Sequence, residues 1–188
     1  MPLPPSVPRD ELHHRRYELH GYRRHDGLYD VEARMTDTKS QALTLQSGRV
    51  VAADEPIHDM WVRLVVDEDL VVHDIVAATD SSPFDICPEA TATLRTVIGL
   101  RIAAGWTNAI KLRLGGKKGC THLTELLSPL ATVAFQTLAP VRLAKPEIDE
   151  KTGRPRKLDT CYAYASERDI ARVRWPQFYN GPAKTTTG

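Results

Sequence analysis

Met60-Trp61-Val62-Arg63-Leu64-Val65-Val66 and Leu70-Val71-Val72-His73-Asp74-Ile75-Val76-Ala77-Ala78 enclose Asp67-Glu68-Asp69, and this stretch decides the fold. Met60, Val62, Leu64 and Val66 alternate with Trp61, Arg63, Val65 and Asp67, the period of a half-buried strand. The second run carries the β-branched Val71, Val72, Ile75 and Val76, which favour strand. Two such runs around an acidic turn predict an antiparallel hairpin over 59–78, with His73 on the surface of the return strand.

A second hairpin precedes it. Arg15 to Tyr22 reads as a strand, Arg24-His25-Asp26-Gly27 as a turn, and Leu28 to Thr36 as the returning strand. In the latter, Tyr29, Val31, Ala33 and Met35 share one side and Leu28, Asp30 and Glu32 the other. The basic residues around it (His13 to Arg16, Arg23 to His25) fit the solvated face of a strand better than a basic arm for an acidic partner. Asp37-Thr38-Lys39 closes the strand; an acid and a base so close suit either a turn or the orientation of a catalytic group. Residues 40–56 form a polar connection with room for a short strand at 49–53.

Helices follow. Pro88 suits the first position of a helix, since its missing N–H has no partner there. Ala90, Leu94, Val97 and Ile98 form its stripe, and Gly99 ends it. Residues 106–114 make a short second helix. Leu123, Leu126, Leu127, Leu130, Ala131, Ala134, Phe135 and Leu138 lie on one face of a third, which continues through Pro129 with a kink. Residues 144–157 are a charged connector, 158–164 an added edge strand, and Trp175 to Tyr179 an aromatic closing segment. The expectation is one α+β domain over 13–179, an antiparallel sheet with helices on one face, between disordered tails at 1–12 and 180–188.

Function points to Gly119-Cys120-Thr121-His122, where a glycine- and lysine-rich loop enters that long helix. The N–H groups and dipole of a helix start favour a thiolate and lower a cysteine's pKa. The candidate catalytic residues are Cys120 as nucleophile, with His122, Asp37 and Lys39, and His58 or Asp59 as further helpers. The candidate metal ligands are His58, Asp59, Cys87, Cys120, His122 and Cys161. Connectivity places His58, Cys87, Cys120 and His122 at one end of the sheet. Thiolates and imidazoles suit zinc or an iron–sulfur centre. Structural cysteines are the alternative.

Composition limits the field. The formal charge of +1 across 188 residues gives no field directed at nucleic acid or membrane. Three cysteines cannot complete a disulfide framework and read as reduced thiols in the cytoplasm. Met1-Pro2-Leu3-Pro4-Pro5 has no apolar core of a secretory signal. There is no G-x-S-x-G, no phosphate loop and no C-x-x-C pair. A small molecule, or a metal or sulfur donor, is the partner such a chain would meet.

Arg24-His25-Asp26-Gly27-Leu28, Thr36-Asp37-Thr38-Lys39, His58-Asp59-Met60-Trp61, Gly119-Cys120-Thr121-His122-Leu123 and Leu158-Asp159-Thr160-Cys161-Tyr162 resemble the motifs of a bacterial family, domain of unknown function 2889, over about 15–179. That family implies no activity. The order of elements from Asp59 to Leu138 is also similar to iron–sulfur scaffolds of the IscU and NifU N-terminal type, and the fold is expected to be IscU- or SufE-like. This second resemblance implies a cysteine, histidine and aspartate cluster at one end of the fold. Cys120 falls at the scaffold's last cysteine, Gly119 takes its histidine's place, the first cysteine is absent, and Cys87 lies beyond the second.

Overall fold

The computed structural model describes residues 3–182, which fall into two compact units, one running through Ala139 and one from Pro140 onward. The sequence reads as a single domain. Residues 3–12 are exposed and form no helix or strand. Of the expected tails, positions 1, 2 and 183–188 lie outside the described residues.

The first unit is built on strands β1 (His13–Arg23), β2 (Tyr29–Lys39), β5 (His58–Val66) and β6 (Val72–Ser81), with a small ribbon of β3 (Leu43–Thr44) and β4 (Val50–Val51) between them. The four long strands form one antiparallel sheet in the order β1-β2-β5-β6. The hairpin over 59–78 therefore stands beside the strand that begins at Tyr29, as the alternation requires. Its turn is organised by Asp67, whose Oδ1 accepts the N–H groups of Asp69 and Val71, each at 2.9 Å. Leu70, expected to start the return strand, instead takes φ 64° and buries its side chain, so β6 begins at Val72. β2 runs three residues past the expected Thr36 because Asp37, Thr38 and Lys39 all pair with β1.

Period two sorts the sheet into faces. Tyr29, Val31, Ala33 and Met35 of β2 and Met60, Val62, Leu64 and Val66 of β5 are buried. The long helix α2 (Thr121–Thr137) crosses β1, β2 and β5. It is preceded by α1 (Trp106–Leu114), which starts at Gly105 with φ 90°, a conformation open to glycine at no steric cost. Trp106 donates its indole N–H to the Leu127 carbonyl at 3.1 Å and ties the two helices together. Leu123, Leu126, Leu127, Leu130, Ala131, Ala134 and Leu138 are buried as the stripe predicts, and α2 continues through Pro129. Phe135 lies at the margin, 37% exposed.

The segment Cys87–Val97 is a 3-10 helix rather than the α-helix expected from its stripe. Thr91, Thr93 and Thr96 bond their hydroxyls back to carbonyls three residues earlier. Leu94 and Val97, three apart, are its buried residues, and three is the repeat of a 3-10 helix. Ile98, counted in the expected stripe, is 37% exposed.

α2 and β1 approach closely at Gly21, where a Cβ would collide with the Thr137 side chain. Gly21→Ala is expected to cost about 1–3 kcal/mol through overpacking, and Thr137→Ala in the same chain to recover part of it. Urea unfolding measures both; a Gly21→Ala protein as stable as wild type would show the contact to be soft.

A short helix α3 (Ala139–Ala144) follows. In the second unit, the edge strand expected over 158–164 is absent. Asp159 takes φ 60° there, and its Oδ1 accepts the Ser166 N–H at 2.8 Å, so the chain turns into a 3-10 helix at Tyr162–Tyr164. Leu158, Ala171 and Trp175 of this unit pack with Tyr164, Phe178 and Tyr179, which places the aromatic closing segment; Ala171 belongs to helix α4 (Asp169–Arg174). Among the described residues no helix is long and apolar enough to cross a membrane.

Candidate functional site

The apolar phase of the sheet ends in charge. Asp37 follows Met35 on the buried side of β2, and His58 precedes Met60 on the buried side of β5. The register makes Arg15 the neighbour of Asp37 and Asp37 the neighbour of His58, one polar row across three strands. Arg15 donates from Nε and Nη2 to the two oxygens of Asp37, each at 2.7 Å. His58 Nδ1 lies 3.0 Å from Asp37 Oδ2, and His13 Nε2 lies 3.2 Å from Oδ1. An ionised carboxylate only accepts, so His58 carries its proton on Nδ1 and leaves Nε2 as a lone pair when neutral.

The start of α2 closes over this row. The His122 ring stacks on His58 with centroids 3.8 Å apart, and Cys120 Sγ lies 3.9 Å from His122 Nδ1. Glu125 reaches β1 one turn later: Arg15 Nη1 donates to its Oε2 at 2.7 Å and the Tyr17 hydroxyl to its Oε1 at 2.6 Å. Ligating atoms of Asp37, His58 and His122 lie within 4.8 Å of one another.

The electrostatics follow from these contacts. Burial pushes the Asp37 carboxyl up, but the Arg15 guanidinium, with His58 and His13, holds it below the usual carboxylate range. Burial and the neighbouring His122 lower His58 despite Asp37, so the neutral imidazole is favoured. Burial raises the Cys120 thiol, while the His122 ring and the N–H groups of His122 and Leu123 outweigh it and bring the thiol below its ordinary value. Two imidazoles in contact beside a cysteine sulfur are a donor set for a borderline metal.

The other acidic and cysteine candidates are not members of the Asp37, His58 and His122 group. Strand alternation turns Asp59 to the opposite face of the sheet, where Arg34 takes both of its oxygens at 2.9 and 2.7 Å. Lys39 ends β2, and its carbonyl accepts the Asp54 N–H. Cys87 begins the 3-10 helix that packs along β6 and is outside the Asp37, His58 and His122 group. Cys161 is exposed in the second unit. The sequence reading missed Arg15 as a partner of Asp37, together with His13, Tyr17 and Glu125. The signal was present: a carboxylate in phase with Tyr29, Val31, Ala33 and Met35 is carried to the buried face and requires a cation.

Fold and site together define an α+β domain with a cluster of two histidines and an aspartate where its sheet meets a helix start, and a cysteine sulfur 3.9 Å from one of the histidines. A family model described as a protein of unknown function (DUF2889) matches residues 13–136, and the chain belongs to that family. The match lies within the first unit and contains the whole cluster, while the Leu158 to Tyr162 motif lies beyond it. No curated protein and no solved structure matches the chain, so the expected likeness to iron–sulfur scaffolds has no support there.

Proposed function

We propose that the protein binds one zinc-type metal ion through His58 Nε2, a ring nitrogen of His122 and Cys120 Sγ, with Asp37 as the carboxylate that orients His58. The observation that carries this is the convergence of ligating atoms from His58 and His122 on Asp37, with the Cys120 sulfur beside His122. Asp37 is better suited to orient than to ligate, because Arg15 occupies both of its oxygens. A histidine ligand whose second nitrogen donates to a carboxylate is the usual support of a metal site. Two imidazoles and one thiol suit zinc better than an iron–sulfur cluster, which is held chiefly by thiolates.

The lowered Cys120 thiol favours a second reading, a thiol-dependent enzyme with Cys120 as nucleophile and His122 as base. Alkylation by iodoacetamide, followed residue by residue, separates the two. One equivalent of zinc is expected to protect Cys120 while exposed Cys161 reacts at an unchanged rate. Equal labelling of Cys120 with and without zinc would contradict the metal site and favour the nucleophile.

A further inference from the structure

We infer that Glu125 is a positioning residue of the metal centre, clamping the first turn of α2 onto β1 through Arg15 and Tyr17 and so setting how His122 and Cys120 meet His58. The inference rests on the metal reading above. The start of α2 carries little of its own to hold it. Cys120 is its N-cap and makes no side-chain capping hydrogen bond, and the first turn has no acidic residue. A capping oxygen ordinarily steadies that turn, and helix ends without one fray. Both ligands that α2 brings to the metal sit there, Cys120 at the cap and His122 two residues on. Ligands on a loose turn must be ordered when the metal binds; a contact that orders them beforehand raises affinity.

Glu125 makes that contact. It follows His122 by three residues, so the two side chains lie on one face of the helix. His122 meets His58, with ring centroids 3.8 Å apart, and Glu125 accepts from Arg15 Nη1 at 2.7 Å and from the Tyr17 hydroxyl at 2.6 Å. Two contacts along one face fix the rotation of the helix start over the sheet; His122 alone leaves it free to turn. The sheet side is fixed as well. Arg15 donates Nε and Nη2 to Asp37 and Nη1 to Glu125, so one guanidinium joins the carboxylate that orients His58 to the helix that carries His122. Glu125 is exposed and is not a member of the Asp37, His58 and His122 group, so its effect passes through Arg15 and the helix rather than through the metal.

Zinc affinity of the full chain, measured by competition with a chromophoric chelator, tests the clamp. Glu125→Ala is expected to weaken binding about tenfold, the lower end of what an outer partner is worth, because the residue is exposed. Glu125→Gln, which keeps an acceptor for Arg15, should recover most of the loss. Arg16→Ala, which removes an ion pair with Glu18 on the same strand, is the control and should change nothing. At saturation with cobalt(II) the Glu125→Ala spectrum should match that of wild type, since no ligand is lost. In the metal-free protein, hydrogen exchange of the Thr124 N–H, bonded to the Cys120 carbonyl at 2.9 Å, should quicken in Glu125→Ala, while that of Ala134, deep in the helix, stays slow. Zinc affinity or Thr124 exchange unchanged in Glu125→Ala, or affinity lost equally in Arg16→Ala, would overturn the clamp and leave the metal centre standing. A changed cobalt spectrum in Glu125→Ala would show that the ligand set itself depends on Glu125 and would overturn the clamp too. Failure of the wild type to take up zinc would overturn both.

Discussion

Asp37→Ala is expected to cost about 3 kcal/mol of folding stability, the largest loss from any single polar side chain of the site. Asp37 is 2% exposed and binds Arg15, His58 and His13 at once. Its removal leaves a guanidinium facing an apolar sheet with only exposed Glu125 and half-buried Tyr17 to meet it, and takes the acceptor from His58. The loss depends on pH. The folded carboxyl titrates below its unfolded value, so its stabilisation is complete above about pH 3.9 and disappears as the pH falls through the lower folded value. Urea unfolding of wild type and Asp37→Ala should therefore differ most near neutrality and converge in strong acid. A difference under about 1 kcal/mol at neutral pH, the size of an exposed pair, would show that Asp37 is not the hub of the row.

Zinc affinity carries the second large effect. Cys120→Ala and His58→Ala are each expected to weaken binding at least about a hundredfold, since each removes one of three donors; loss of an outer partner costs about 10–100-fold. Asp37→Ala belongs with the outer partners. Cys87→Ala and Asp59→Asn should leave affinity unchanged, because Cys87 starts a helix along β6 and Asp59 is held by Arg34 on the other face. Competition against a chromophoric chelator measures all five. A zinc loss in Cys87→Ala comparable to that in Cys120→Ala would move the centre away from His58.

Periodicity made the frame of the first unit legible. The alternation at Met60, Val62 and Leu64 gives the central hairpin, and the stripe from Leu123 to Leu138 gives the long helix. Elements failed where a local bond outranked the pattern. Threonine hydroxyls wound Cys87–Val97 tighter than its apolar spacing implied. Asp159, in a left-handed conformation, turned a strand-like run into a loop. At the site, the sequence marked Asp37, His58, Cys120 and His122, because His and Cys at element starts are visible without coordinates. It offered Asp59, Cys87 and Cys161 on equal terms, because proximity in sequence does not tell which face a residue takes. Arg15 stayed hidden for a different reason: its partner is set by the register of β1 on β2, a long-range property no single strand reveals.

Cobalt(II) titration of the metal-free protein tests the metal centre most directly. Saturation is expected at one equivalent, with the strong visible bands of a tetrahedral ion and a near-ultraviolet thiolate-to-cobalt band. Cys120→Ser should lose the near-ultraviolet band, and His58→Ala the tetrahedral pattern. A weak spectrum like that of cobalt in water, or a thiolate band that survives Cys120→Ser, would contradict a site built from Cys120, His58 and His122.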